Sequence, residues 1–312
     1  MRFPGKFTDS LVADKLDHVS LSFLVDDLQI RRGGVAANVA FGMGKLGLRP
    51  ILVGAVGKDF VDYRSWLERH GVDCDSIFIS KDQHTARFVC TTDEVQNQIA
   101  SFYPGAMSES IQIELGPIAE RAGKLDYVFV GPNDPEAMVR HTEEAKFRNI
   151  PFIADPSQQL ARMDGEEIKK LIDGAAYLFT NEYESSLIEK KCGYSSQDLV
   201  ERVGTVVTTL GAKGARVLKK GEAAVEVICP REKAKVDPTG VGDAFRAGFM
   251  AGMSWNVGEE ISAQIGSLLA TYTIETIGTQ EYSFETKDFL ERFAETYGDE
   301  NAQVLAKVFV SA

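Results

Sequence analysis

Hydrophobic positions in this chain follow two rhythms. Short apolar runs of strand length, "PILVGAV" (Pro50–Val56), "LDYVFVG" (Leu125–Gly131), "IPFIADP" (Ile150–Pro156), "AAYLFTN" (Ala175–Asn181) and "VGTVVTTLG" (Val203–Gly211), alternate with stretches spaced like amphipathic helices. The helical stretches are "DFVDYRSWLERHG", "DPEAMVRHTEEAKFRN", "GEEIKKLIDG" and "EYESSLIEKK". Continuous apolar strands separated by helices predict an α/β fold, a doubly wound and mostly parallel sheet with helices on both faces. Ligands of such sheets sit beyond the carboxyl ends of the strands. Those ends read Gly131-Pro132-Asn133-Asp134, Asp155-Pro156-Ser157, Thr180-Asn181-Glu182 and Thr208-Thr209-Leu210-Gly211, polar and turn-rich as a site rim should be.

Two segments break the rhythm. "HVSLSFLVDDLQIRR" (His18–Arg32) and "HTARFVCTTDEVQNQIASFYPG" (His84–Gly105) alternate with period two and have no helix between strands. They predict half-buried antiparallel strands, a small β lid spanning about residues 5–34 and 76–105. Exposed lid edges are templates for a second copy, so a homodimer through the lid is expected. From about Gly242 the pattern is helical: "GVGDAFRAGFMAGMS", "GEEISAQIGSLLATYTIETIG" and "ETKDFLERFAETYG". Without repeats or long linkers, the 312 residues predict a single domain.

Charge narrows the partners. The net charge of −12 argues against nucleic-acid binding, which needs clustered Lys and Arg. An anionic substrate must be drawn in by local backbone amides or a metal. Cys74, Cys90, Cys192 and Cys229 stand far apart with no C-x-x-C, which fits a reduced, cytoplasmic chain with small buried thiols. Neither a membrane-length apolar run nor a signal-like core in "MRFPGKFTDS" is present, so no membrane partner is expected.

Glycines carry the candidate chemistry. Gly42, Gly44 and Gly47 spell G-x-G-x-x-G in "FGMGKLG", but the helix precedes the strand, the reverse of a dinucleotide fingerprint. No P-loop pattern occurs either. In "KVDPTGVGDAFRAGFMAGM", however, Thr239-Gly240-Val241-Gly242 stands where a helix begins, so unpaired N–H groups and the helix dipole make an anion site. Asp243 beside it is either an ordinary acid of a helix N-terminus or a general base that takes a hydroxyl proton as a phosphoryl group arrives. Gly248 and Gly252 further along cost about 1 kcal/mol each against Ala, tolerable where the helix packs closely. A second site, "RRGGVAANVA", places Gly33-Gly34 before a helix carrying Asn38; it is either a plain turn or a place where bare backbone meets a small ligand.

Together these stretches resemble the two signatures of the ribokinase-like carbohydrate kinase family, the Gly-Gly-x-x-x-Asn helix and the Asp-x-Thr-Gly-x-Gly-Asp loop. The resemblance covers almost the whole chain, with "TNEYE" and "VVTTLGAKGA" in order between them. Within the family, "VSLSFLVDDL", "HTARFVC", "NQIASFYPGAMSE", "NDPEAM" and "DPSQQLARM" look like the bacterial adenosine kinases. The resemblance implies an adenosine kinase that uses ATP and Mg²⁺ to make AMP. It makes Asp243 the base on the nucleoside 5′-hydroxyl and gives the transferring phosphate to the amides of Gly240, Val241 and Gly242. Asn181 and Glu184 match the Asn-x-x-Glu that organises Mg²⁺ through water. Thr209, Gly211 and Gly214 match the nucleotide region. Gly34 and Asn38 fall on the ribose with Ser22 nearby, Phe88 and Phe102 flank the adenine, and Gln158 and Gln159 are further contacts. Read without the resemblance, Phe88 and Phe102 fit core positions as well as a stacking role. Chains of the family open with a strand ending in a substrate-binding Asp, and this sequence aligns after it; Met1 is therefore expected to be an internal methionine of a longer protein, and an apolar trench is expected in the sheet. The competing readings are a ribokinase-like sugar kinase, which has no use for the two Phe rings, and a non-catalytic nucleoside-binding module.

Overall fold

A computed structural model describes residues 1–10 and 21–309. The first half contains α1 (Phe7–Ser10), α2 (Val35–Lys45), β1 (Gly54–Val56), α3 (Val61–Arg69), β2 (Ile77–Ile79), β3 (Arg87–Thr92), β4 (Gln98–Tyr103), α4 (Leu115–Ala122), β5 (Val128–Val130) and α5 (Pro135–Phe147). After these come β6 (Phe152–Ala154), α6 (Gly165–Ile172), β7 (Tyr177–Asn181), α7 (Glu182–Cys192), α8 (Ser196–Arg202), β8 (Thr205–Thr209), β9 (Ala215–Lys219) and β10 (Val225–Val227). Four helices close the described chain: α9 (Val241–Ser254), α10 (Glu259–Ile274), α11 (Thr286–Tyr297) and α12 (Asp299–Phe309).

The main sheet runs β10-β9-β8-β7-β6-β5. Strands β5 to β8 are parallel, and β9 and β10 add an antiparallel edge. Because side chains alternate along a strand, each strand feeds two cores. Phe152, Ala154, Leu178 and Val206 pack with Ile168, Leu171 and Ile188 on one face. Ile153, Phe179 and Val207 pack on the other against Phe245, Phe249, Ile265 and Leu269. Helices thus cover both faces, as the continuous apolar strands require. The glycines inside α9 are explained by α10: a Cβ at Gly248 would lie 2.7 Å from the Gly266 Cα, and one at Gly252 2.6 Å from the Ser262 Cα.

Strands β1 and β2 form a separate two-stranded parallel sheet. Between β1 and the outer edge of β5 lies a cavity of about 680 Å³, lined by Val39, Met43, Leu52, Val128, Ile153 and Met250 among others.

The small antiparallel sheet is present as the β3–β4 hairpin, in register from Arg87↔Tyr103 to Thr92↔Gln98. The expected strand in His18–Arg32 requires correction. His18–Ser20 lie outside the described residues, and Leu21–Arg32 form no strand, only a bridge from Asp27 to Arg2. Alternation favours an extended chain, but a ladder also needs a free edge. Here the opening residues take that edge: Phe3 N–H donates to the Thr92 carbonyl at 2.9 Å and Arg2 bridges Asp27. Phe3, Phe7 and Phe23 then pack ring to ring within 5.5 Å, while Leu24, Leu28 and Ile30 remain 86%, 66% and 89% exposed.

Candidate active site

Helix α9 begins at Val241, directly after the Asp237-Pro238-Thr239-Gly240 turn. Asp237 accepts from Thr239 N–H at 2.9 Å through Oδ1 and from Gly278 N–H at 3.0 Å through Oδ2. Burial pushes its carboxyl up, but these hydrogen bonds outweigh it and hold the group below the usual carboxylate range. The chain then turns through Gly240, the N-cap, at φ 77°, where a Cβ would also meet Thr279 Cγ2 at 2.8 Å. No side chain caps α9; Val241 N–H donates to the Pro238 carbonyl at 3.4 Å, and the next N–H groups of the first turn remain available to an anion.

Asp243, in that first turn, is not a capping residue. Its Oδ2 instead accepts a hydrogen bond of 2.7 Å from Asn38 Nδ2, on the second turn-forming helix start of the chain. Helix α2 follows Gly34 at φ 97°, and Asn38 N–H donates to the Gly34 carbonyl. The Asn38 amide has one orientation open to it. Its Oδ1 lies 2.9 Å from Gln280 Nε2 and 3.0 Å from Thr279 Oγ1, so its NH₂ must face Asp243. Gln280 is itself fixed, donating to Tyr63 Oη at 2.5 Å and accepting from Trp66 Nε1 at 3.1 Å. Tyr63 Oη in turn donates to the Gly33 carbonyl at 2.9 Å. Burial lifts the Asp243 carboxyl above its ordinary pKa despite the Asn38 bond and the Arg246 charge, with Asp155 adding to the rise. A carboxylate of raised basicity, aimed by an amide at an anion-binding turn, can accept a proton from a hydroxyl brought there.

On the other side of α9 lie the strand ends. Asn181 and Glu184 form a capping box at the start of α7: Asn181 Oδ1 accepts from Glu184 N–H and Glu184 Oε2 accepts from Asn181 N–H, each at 2.8 Å. Thr209 is the register partner of Asn181 on the neighbouring strand, and its Oγ1 is 3.4 Å from the Thr180 carbonyl. Gly211 and Gly214 bound the turn that follows, at φ 60° and 98°. The described residues hold no group of three or more His, Cys, Asp or Glu side chains that could hold a metal. Glu184 keeps Oε1 clear of the capping box, with Ser157 Oγ at 3.5 Å. This donor set suits Mg²⁺ held mainly by phosphate oxygens and water rather than a protein cage. Burial, countered by the Asn181 N–H and Arg246, leaves the Glu184 carboxyl raised.

The structure therefore joins Gly34, Asn38, Asp243, the Gly240–Gly242 turn, Glu184, Asn181 and Thr209 through contacts or adjacent strand ends. Ser22 and Gln158 are exposed, without hydrogen bonds to this cluster among the described residues. Gln159 is buried and its Nε2 donates to the Asn133 carbonyl at 2.7 Å, so its amide NH₂ is committed to the fold. Phe88 and Phe102 stand opposite each other on β3 and β4, 68% and 52% exposed, which removes them from the core. Sequence reasoning missed Thr279, Gln280, Tyr63 and Arg246 as parts of the site, and placed Asp155 on the strand-end rim without a role. A signal existed for one of them: Arg246 is a lone charge in an apolar helical run, and such a charge needs a partner.

The pattern of the pfkB family carbohydrate kinases matches residues 7–287. A nucleoside kinase of Methanothermobacter thermautotrophicus is 31% identical over 290 residues, 92% of each chain. A nucleoside kinase of Methanocaldococcus jannaschii is 28% identical over 86% of this chain and 87% of its own. Among solved structures, the Burkholderia thailandensis nucleoside kinase in complex with inosine superposes with a TM-score of 0.84 at 30% identity, covering 96% of this chain and 95% of that one. The chain belongs to the pfkB family of carbohydrate kinases, with the ribokinase fold, and is a phosphotransferase acting on a hydroxyl group.

Proposed function

We propose that the chain is a nucleoside kinase with adenosine as its preferred acceptor, transferring the γ-phosphoryl group of ATP to the 5′-hydroxyl to give AMP and ADP. The observation that carries this reading is Asp243, uncapped and aimed by Asn38 at the start of α9. Asp243 takes the hydroxyl proton while the Gly240–Gly242 amides receive the charge spreading over the transferring phosphate. Asn38 and Gly34 face the ribose. Asn181, Thr209, Gly211 and Gly214 would border the nucleotide, and Glu184 with Asn181 would hold Mg²⁺, which when bound would supply charge neutralisation on the phosphates.

A nucleoside is favoured over a free sugar by the paired, exposed rings of Phe88 and Phe102, which a base can stack on and a sugar cannot. The nucleoside kinases among the relatives, one crystallised with inosine and also with ADP and inosine, support the same choice. The free cysteines suit a reducing cytoplasm, and the activity belongs to purine salvage. The β3–β4 hairpin, with Val89 and Ile99 also exposed, is the surface proposed for a homodimer; light scattering at micromolar concentration should give twice the chain mass.

A ribokinase-like sugar kinase is the competing reading, since ribokinases are also among the relatives. Coupled ADP release with adenosine, inosine, guanosine, ribose and fructose separates the two. The highest kcat/KM for adenosine supports the proposal. A preference for ribose or fructose replaces it, and release no faster than without acceptor removes both.

A further inference from the structure

We propose that Arg246 is a positioning residue for phosphoryl transfer, locking the anion-binding turn of α9 to the Glu184 carboxylate across the ends of two strands. The proposal rests on the kinase reading above. Arg246 interrupts the apolar stretch from Ala244 to Gly252 and is 5% exposed. A buried charge is retained only when its partners are close and well placed.

Its partners lie on three different elements. Nη1 donates to the Gly242 carbonyl at 3.0 Å, inside the turn that binds the anion. Nη2 donates to Asp155 Oδ1 at 2.8 Å, just past the end of β6, and Nε makes an ion contact of 2.5 Å with Asp155 Oδ2. Nη2 also lies 3.9 Å from Glu184 Oε2, at the start of α7. Two carboxylates, Asp155 and Glu184, thus share one guanidinium whose charge also acts on Asp243, and Asp155 is fully buried.

Gly242 supplies independent support. It is not among the positive-φ glycines, so backbone conformation does not demand glycine there. A Cβ at Gly242 would instead lie 2.9 Å from Arg246 Nη1, the one heavy atom within 4 Å apart from the adjacent backbone of the helix and the two neighbouring residues. The missing side chain makes room for the guanidinium, and Arg246 and Gly242 work as a unit. A lysine carries the same charge but lacks the planar fork that holds a carbonyl and a carboxylate at once.

Two variants separate positioning from scaffolding: Arg246→Lys, and the paired apolar replacement Asp155→Leu with Arg246→Met. Each is measured for melting temperature, for kcat and KM with adenosine, and for ADP affinity by calorimetry with Mg²⁺ and with EDTA. R246K is expected to lower kcat at least tenfold with nucleoside KM within threefold, and to shrink the Mg²⁺-dependent gain in ADP affinity at least threefold. The apolar pair is expected to melt near the parent yet remain as slow as R246K. A parental kcat and Mg²⁺ gain in either variant overturns the proposal, as does failure of both to fold, which makes Arg246 a scaffold residue. If the parent phosphorylates no nucleoside, the substrate reading falls, while the ADP and Mg²⁺ comparison still decides the role of Arg246.

Discussion

Asn38 and Asp243 are 205 residues apart in sequence and joined by a hydrogen bond of 2.7 Å from Nδ2 to Oδ2. The bond ties the two glycine-rich helix starts together. Its direction is set from behind, because Gln280 and Thr279 occupy the Asn38 carbonyl oxygen.

That relationship sets a pH dependence. A base works in its deprotonated form, and burial raises the Asp243 pKa above the ordinary carboxylate value of about 3.9. kcat/KM should therefore fall as pH drops through this raised value. Asn38→Asp replaces the donated hydrogen bond with a like charge, which favours the protonated form of Asp243. The acid limb should then move to higher pH by about one unit. An unmoved limb would assign it to another group.

The hairpin makes a second test. Phe88→Ala and Phe102→Ala should each raise KM for adenosine roughly 5- to 150-fold, the equivalent of about 1–3 kcal/mol of stacking. KM for ATP should stay within twofold. Both rings are exposed, so melting should shift little. Equal losses for both substrates would return the rings to a general structural role.

Asp59 anchors the hairpin base. It accepts from Thr85 N–H at 2.9 Å, Thr85 Oγ1 at 2.7 Å and Arg87 Nη2 at 2.6 Å. Burial works to raise its carboxyl, yet these bonds hold it well below the usual range. A depressed pKa means the carboxylate form is preferred by the folded chain. Its stabilisation is full above the ordinary value near pH 4 and fades as pH falls below that. Asp59→Asn should speed amide exchange across residues 87–103 at pH 7 while leaving exchange in β6 and β7 unchanged. Uniform acceleration everywhere would mean global destabilisation instead.

Much of this fold could be read from periodicity. Ile153 and Phe179 face one core while their neighbours Phe152 and Leu178 face the other, and it is this two-sided burial that makes β6 and β7 continuously apolar. The β9–β10 edge went unread. Only residues 210–214 separate β8 from β9, too few for a crossover helix, and that spacing points to an antiparallel neighbour. The hairpin was legible from alternation, whereas Leu21–Arg32 alternates equally and, among the described residues, pairs its backbone only at Asp26 and Asp27 with Arg2, because alternation says nothing about which edges are free. As candidates, Asp243 and Asn38 stood out from local sequence, Asn181 and Glu184 only through the family resemblance, and Asp155 only as one of the strand-end residues. The partners of Gln280 and Asp155 were not legible, because those contacts join residues 242 and 91 positions away.

Asp243 is proposed as the base of the reaction. The most direct measurement compares Asp243→Asn with the parent for adenosine affinity by calorimetry and for turnover with saturating ATP and Mg²⁺. The amide keeps the shape of the carboxylate but cannot take the proton. Adenosine should bind within about threefold of the parent while kcat falls at least ~10²-fold. A folded variant that keeps more than half the parental kcat would contradict the claim and leave Asp243 a structural partner of Asn38.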